Sequence, residues 1–338
     1  MPFPAHMRQA TAHGSAVTAA QRWRPTAPLA NLRRRAQIVG AIRAYFAAQG
    51  VLEVETPQIG SATVSDPHLN SLYVAGYGYL QTSPEYAMKR LLAAGSGSIY
   101  QLARVFRADE HGRWHQPEFT LLEWYRLGYS LERLIEEVAS IARLALGDLP
   151  SERQRYRDLF QRYLGLDPLR CELGALRSAA AEHLDLAFDD ADRDTWLELL
   201  MSAVIEPQLG RNVLSFVVDY PPSQAALARL RRDADGELVA ARFELYFAGV
   251  ELANGYHELA DADEQRARFA ADLQTRAALG LPAVALDSDF LAALSAGLPD
   301  CSGVALGLDR LIMLAVGAHS LAEVMAFAVP WGELDESA

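Results

Sequence analysis

The chain has 338 residues, 51% of them hydrophobic, enough for one large domain or two small ones. A formal net charge of -12 argues against holding a nucleic-acid backbone by bulk charge, and two distant cysteines outside any CxxC spacing argue against a disulfide framework or a zinc site. The sequence contains no apolar run near the roughly 20 residues of a membrane span, so no membrane association is expected and a reducing cytoplasm fits.

Residues 1–30 carry Ala, Thr, Pro and Arg without a compact apolar core, and read as a flexible arm rather than a signal peptide. Asn31 is placed to cap a helix running to about Gly50, with Leu32, Ile38, Val39, Ile42, Tyr45 and Phe46 at helical spacing. "VLEVETP" follows as a strand ended by Pro57. "TSPEYAMKRLLAAG" sets Ser83 at a helix N-cap, Pro84 at the first helical position and Gly95 past the end. Two β-prone runs then flank a charged loop in "ARVFRADEHGRWHQPEFTLLEWYRLG". From about 130 to 205 the pattern turns helical and reads as an insertion. "NVLSFVVDYP" is a strand, and "ARFELYFAGVELANGYHEL" reads as two strands broken near Asn254-Gly255. Helices are expected at about 261–280 and 287–297, then a short strand running into a helix in "SGVALGLDRLIMLAVG". Hairpin-joined strands with helices in blocks predict an α+β fold around an antiparallel sheet flanked by helices. Neither GxxxxGK[ST] nor GxGxxG occurs.

Three constellations carry chemistry. In the first, Arg107 offers a planar fork for a phosphate or carboxylate and Phe119 a ring for stacking. Glu123 and Tyr125 alternate with Leu122 and Trp124, so both face one side of the sheet and suit an ammonium group. In the second, Glu251 and Glu258 stand seven apart; a break at Asn254-Gly255 would bring them to one face, where two carboxylates suit Mg²⁺ with phosphate oxygens. In the third, Gly303 and Gly307 permit close backbone approach, and Arg310 stands in the first turn of the helix they introduce, which makes an anion site. Singly, each has a plain alternative: surface charge on a half-exposed sheet, two unrelated glutamates, a glycine-punctuated core strand.

In this order, "VEVETP", "FR" with "HQPEFTLLEWY", and "GLDR" resemble the three motifs of class II aminoacyl-tRNA synthetases, over about residues 31–325. "TSPEYAMKRLL" and "ELANGYHEL" are similar to segments of the lysyl branch. With only about 30 residues before the first helix, an anticodon-binding barrel is not expected. The chain therefore resembles the free-standing elongation factor P–(R)-β-lysine ligases, which "PDCSGVALGLDR" and "GVELANGYHEL" match most closely.

The resemblance implies a class II catalytic domain at 31–330. It also implies ATP and Mg²⁺ as cofactors, (R)-β-lysine or lysine as substrate, elongation factor P as acceptor protein, tRNA not used, and a homodimer formed through the first motif. It assigns Arg107, Ala108, Asp109, Gln116, Phe119, Glu251, Leu252, Gly307 and Arg310 to ATP. It assigns Ser83, Pro84, Glu85, Glu123, Tyr125, Glu258 and Ala305 to the amino acid, Glu251 and Glu258 to the metal, and Arg107, Glu251, Glu258 and Arg310 to catalysis. Two positions depart from the usual pattern: Asp109 with Glu110 beside it where one Glu is common, and Gln116 where Asn is common. Ala305 replaces the Gly usual in lysyl-tRNA synthetases, and its methyl group is expected to favour a β-amino over an α-amino substrate. Two other readings stay open: an activating enzyme that charges tRNA or a small molecule, and a non-catalytic synthetase-like binding protein.

Overall fold

The computed structural model describes residues 23–184 and 192–328. The chain opens with α1 (Leu29–Ala48), whose buried Ile38, Ile42 and Phe46 recur every four residues. Asn31 lies inside its first turn rather than at its cap, and donates instead to the Glu323 carbonyl. Residues 1–22 of the expected arm lie outside the described residues. Its end is anchored: Thr26 N–H donates to the Ala326 carbonyl, and Thr26 Oγ1 to that of Met325.

Four short strands follow: β1 (Leu52–Glu53), β2 (Ile59–Gly60), β3 (Tyr73–Val74) and β4 (Gly78–Leu80). Then come α2 (Glu85–Ala93), β5 (Ile99–Phe106), β6 (Glu118–Leu127), α3 (Leu131–Leu146), β7 (Ser151–Arg155), α4 (Tyr156–Leu164), α5 (Leu173–His183) and α6 (Arg193–Leu200). The C-terminal part comprises β8 (Leu214–Tyr220), β9 (Leu230–Arg232), β10 (Leu238–Phe247), β11 (Val250–His257), α7 (Ala262–Ala278), α8 (Ser288–Gly297), β12 (Cys301–Gly307) and α9 (Leu308–Ala315).

Among the described residues a nine-stranded sheet runs β1-β5-β6-β12-β11-β10-β8-β7, with β9 added beside β10. The expected α+β class holds. The sheet is antiparallel except at its two edge pairings, β1–β5 and β7–β8, which are parallel. Leu122, Trp124, Leu252, Leu306 and α3, α1 and α9 build the core on one face. There Phe46 stacks on Tyr100 at 4.3 Å, and Trp124 Nε1 donates to buried Glu137 at 3.0 Å. The other face is left for side chains of the opposite parity.

Two expectations change here. The stretch from 130 to 205 is not a single insertion, because α3 belongs to the central core and β7 extends the sheet; α4, α5 and α6 form a second cluster against Val217, Ala240 and Tyr246. The hairpin turn falls at Ala248-Gly249, both with positive φ (53° and 74°), and β11 runs unbroken through Asn254-Gly255. Gly255 has another reason to be glycine: a Cβ there would lie 2.4 Å from the ring of Phe243, its cross-strand partner.

Candidate active site

The strand registers put a grid of side chains on the face opposite the core. Ala305 of β12 lies between Glu123 of β6 and Asn254 of β11, and Asn254 pairs in turn with Glu244 of β10. One row along, Gly303 lies between Tyr125 and Tyr256, and Tyr256 pairs with Arg242. Gly303 must be bare: a Cβ would sit 2.3 Å from the Tyr125 ring and 2.5 Å from Glu258 Oε1. Tyr125 and Glu258 thus meet directly above that backbone.

The carboxylates are held by short bonds. Tyr125 OH donates to Glu123 Oε1 at 2.8 Å, and Ser83 Oγ donates to Glu123 Oε2 at 2.8 Å. Ser83 Oγ also accepts the Glu85 N–H at 3.1 Å, so the start of α2 is tied to the sheet. Pro84 is the N-cap of that helix, one position from the expected boundary. Lys89, one turn on, donates to Glu85 Oε1 at 2.7 Å and pairs with Glu258 Oε2 at 2.6 Å. Lys89, Glu123 and Glu258 are all buried, and Glu258 Oε2 accepts no aligned hydrogen bond.

Burial, reinforced by the charge of Glu85, pushes the Glu123 carboxyl up to about 8. Burial likewise raises Glu258, to about 7, against the opposing pull of Lys89. Burial alone would depress Lys89, but Glu258 and Glu85 together hold it above its ordinary value. The cluster thus gathers three carboxylates and one ammonium.

Beside it lies a cationic end. Arg107, just past β5, rests its guanidinium 5.1 Å over the Phe119 ring and pairs with Glu110 at 3.2 Å. Asp109 turns away and accepts from Asn70 Nδ2 at 2.8 Å, while the Ala108 N–H donates to the Asn70 carbonyl. Of the two neighbouring carboxylates it is therefore Glu110 that faces Arg107. Gln116 lines a groove with Leu32, Arg35, Arg104 and Phe327.

Arg310, in the first turn of α9, donates to the carbonyls of Trp114 (3.2 Å) and Glu251 (3.1 Å) and to His115 Nε2 (2.7 Å). Burial and the Arg310 charge lower His115, so its imidazole is neutral and accepts. Gly307, the N-cap of α9, has an ordinary φ of -68°, and a Cβ there would make only ordinary contacts. The fold itself does not demand glycine at that position.

The structure does not bring Glu251 and Glu258 together. Glu258, just past β11, belongs with Lys89, whereas Glu251, beyond a register shift at Leu252, lies 3.7 Å from Arg310 and beside Glu244. Burial and the Glu244 charge raise Glu251, and burial with both of these carboxylates pushes Glu206 up to about 8. Glu251 keeps its carboxylate 40% exposed, open to a ligand. The Leu252 side chain is buried in the core, which leaves only its backbone to the site.

Five site residues were not singled out by the sequence: Lys89, Arg242, Glu244, Asn254 and Tyr256. Arg242 lies half-buried over the Tyr220 ring at 4.5 Å, donates to Asn254 Oδ1 at 3.1 Å and pairs with Glu244. Asn254 Nδ2 donates to Tyr256 OH at 3.0 Å. The signal for Asn254 and Glu244 was the parity of an unbroken β11, which the Asn-Gly dipeptide concealed.

Comparison with known proteins identifies the family. Residues 20–330 match the model for "tRNA synthetases class II (D, K and N)". Proteins named "Elongation factor P--(R)-beta-lysine ligase" are 51% identical in Yersinia enterocolitica and 50% in Klebsiella pneumoniae, each over 319 residues, 91% of this chain and 97% of theirs. A Salmonella dublin protein of the same name is also 51% identical over the same extent. The chain belongs to this family of class II synthetase-like ligases. The Asp109 and Gln116 departures therefore occur within a family member that keeps Arg107, Glu251, Glu258 and Arg310.

Proposed function

We propose that the protein activates (R)-β-lysine, or lysine, with ATP and transfers it to a lysine side chain of elongation factor P. The observation that carries this is the junction of two unlike sites on one sheet face: a buried carboxylate pocket and, beside it, an Arg–Phe platform. A substrate with ammonium groups at one end and a carboxylate at the other would span them.

In this reading Glu123, Glu258 and Glu85 bind the ammonium groups, and Ser83 and Tyr125 orient Glu123. Arg107 grips the substrate carboxylate and the α-phosphate, and Phe119 supports the adenine. Carboxylate oxygen attacks the α-phosphorus, the bond to pyrophosphate breaks, and an acyl-adenylate forms. The acceptor amine then attacks the acyl carbon, loses a proton and expels AMP. Catalysis is positioning and charge stabilisation, without a protein nucleophile. Arg310 leaves His115 and Trp114 to hold the far phosphates. Mg²⁺ suits the exposed Glu251 carboxylate with Glu244 alongside, as a hard cation taking one or two carboxylates plus phosphate oxygens. Bound there, it would neutralise phosphate charge.

The deciding test is the intact mass of elongation factor P after incubation with the protein, Mg·ATP and either lysine isomer, beside a tRNA-charging assay. A gain of one lysyl unit, larger with the β isomer, supports the reading. Charged tRNA without a gain turns it towards tRNA aminoacylation, and no product with no ATP–pyrophosphate exchange leaves a binding protein. The first motif supports a homodimer; light scattering at micromolar concentration is expected to give twice the chain mass. Among the described residues no helix is long and apolar enough to cross a membrane.

A further inference from the structure

Lys89 is the one member of the carboxylate pocket with no place in the chemistry above. Its side chain is 1% exposed, and its Nζ is already committed to two carboxylates, bridging Glu85 at 2.7 Å and Glu258 at 2.6 Å. The helix explains the first contact, since the two residues are one turn apart on α2; the second crosses to the end of β11. Phe290 closes the outer side with its ring centroid 5.9 Å from Nζ, and Tyr86 stacks on the same ring at 4.5 Å. The ammonium is thus fixed, dry and shared between two of the three pocket carboxylates.

Charge arithmetic gives this a purpose. Three carboxylates confined in one cavity repel each other, and burial favours their neutral forms. A resident ammonium cancels one charge, leaving two for a ligand. Lysine isomers carry two ammonium groups, and their carboxylate falls to Arg107 at the other end.

We propose that Lys89 is a positioning residue that acts through Glu85 and Glu258. It aims both carboxylates and, once a ligand has drawn all three carboxylates into their ionised forms, leaves the pocket at two net negative charges, matching an amino acid with two ammonium groups. This rests on the reading of the pocket as the amino-acid site.

Other groups face the same carboxylates. Arg229 donates to the Glu258 carbonyl at 3.1 Å, Cys301 and Tyr256 lie near Glu258, and Tyr125 bonds Glu123. Of these only Lys89 is an ammonium in contact with the Glu258 carboxylate. Removing it should hold Glu258 and Glu123 in their neutral forms to higher pH, where neither attracts an ammonium well.

The test is ATP–pyrophosphate exchange by wild type, K89M and K89R across pH 6 to 9, with folding checked by circular dichroism. K89M is expected to raise the KM for the lysine isomers about tenfold or more, leave the ATP KM nearly unchanged, and move the acid limb of kcat/KM for the amino acid up by about one pH unit. K89R, which keeps the charge, should hold the limb near wild type. A merely structural role would lower active protein without moving the limb. A folded K89M with wild-type KM and limb overturns the proposal. An inactive wild type with either isomer overturns the pocket reading and Lys89's role with it, whereas an active wild type with an unmoved K89M overturns only the latter.

If K89M does not fold, K89Q carries the same measurement. If neither folds, calorimetry of wild type with lysine in two buffers of different ionisation heat decides. Binding a dication to the charge-matched pocket at pH 7 should release about one proton; none released, or net uptake, overturns it.

Discussion

The two ends of the site are built on different principles. At the end proposed for the amino acid every carboxylate sits on a strand, a helix or the residue just past one, and is bonded internally: Glu123 to Ser83 and Tyr125, Glu85 and Glu258 to Lys89. At the end proposed for the nucleotide the cations Arg107 and Arg310, 26% and 22% exposed, are paired with residues 110–115 of the loop between β5 and β6. The first end is rigid and desolvated, so it can discriminate; the second must exchange protein partners for phosphates, so it can open. Low dielectric strengthens the former, while loop release governs the latter.

Variants separate these ends. Arg107→Ala should cost about 10²–10³-fold in ATP–pyrophosphate exchange, because Arg107 stands where both ends meet and charge develops; KM values for both ATP and the amino acid should rise. Glu258→Gln should cost about 10²-fold in kcat/KM for the amino acid with ATP binding intact, since a desolvated charge partner is lost. If ATP binding suffers equally, the ends are not independent. Arg310→Ala should cost roughly tenfold to a hundredfold in ATP handling and leave amino-acid KM alone.

Ala305→Gly is the finer probe. Its methyl lies in register between Glu123 and Asn254. Its removal is expected to shift the α- to β-lysine preference by about tenfold, the worth of one methylene-sized contact. An unchanged preference would remove Ala305 from the specificity account.

The smallest effect is in pH. Because the folded-state value of Glu123 is raised to about 8, the folded chain binds more protons than the unfolded one between the ordinary carboxylate range and that pH. Its contribution to stability is therefore full below that range and is lost as pH rises to about 8. The ionised form is the one that holds an ammonium, so stabilisation by lysine should run the other way and grow with pH. Melting wild type and Glu123→Gln with and without lysine should show the unliganded difference falling by a few degrees from pH 5.5 to 8.5, with the lysine-induced shift rising.

Much of this was legible in the chain. The alternation of Leu122 and Trp124 with Glu123 and Tyr125 placed two carboxylate-pocket groups on one face, because strand parity is a local property. Arg107, Phe119 and Arg310 were legible because each sits at an element end fixed by nearby sequence. Gly303 was rightly read as a close approach, while Gly307 carries no such demand from the fold.

What failed did so for reasons of pairing. Asn254-Gly255 resembles a turn in isolation, yet Phe243 across the ladder needs that glycine bare, and Ala248-Gly249 turns the chain instead. A register shift that leaves Leu252 without a partner pairs Glu251 with Tyr246, beside Glu244 and away from the Lys89 that holds Glu258. The sequence by itself determined the type of the long elements, the core stripe and the charged groups, since propensity and periodicity act over a few residues, whereas strands such as β7 form only by pairing with a distant neighbour. Only the tertiary structure decided that Lys89 shares its ammonium between Glu85 and Glu258, because bringing α2 onto the end of β11 joins residues 169 positions apart through packing that no local pattern encodes.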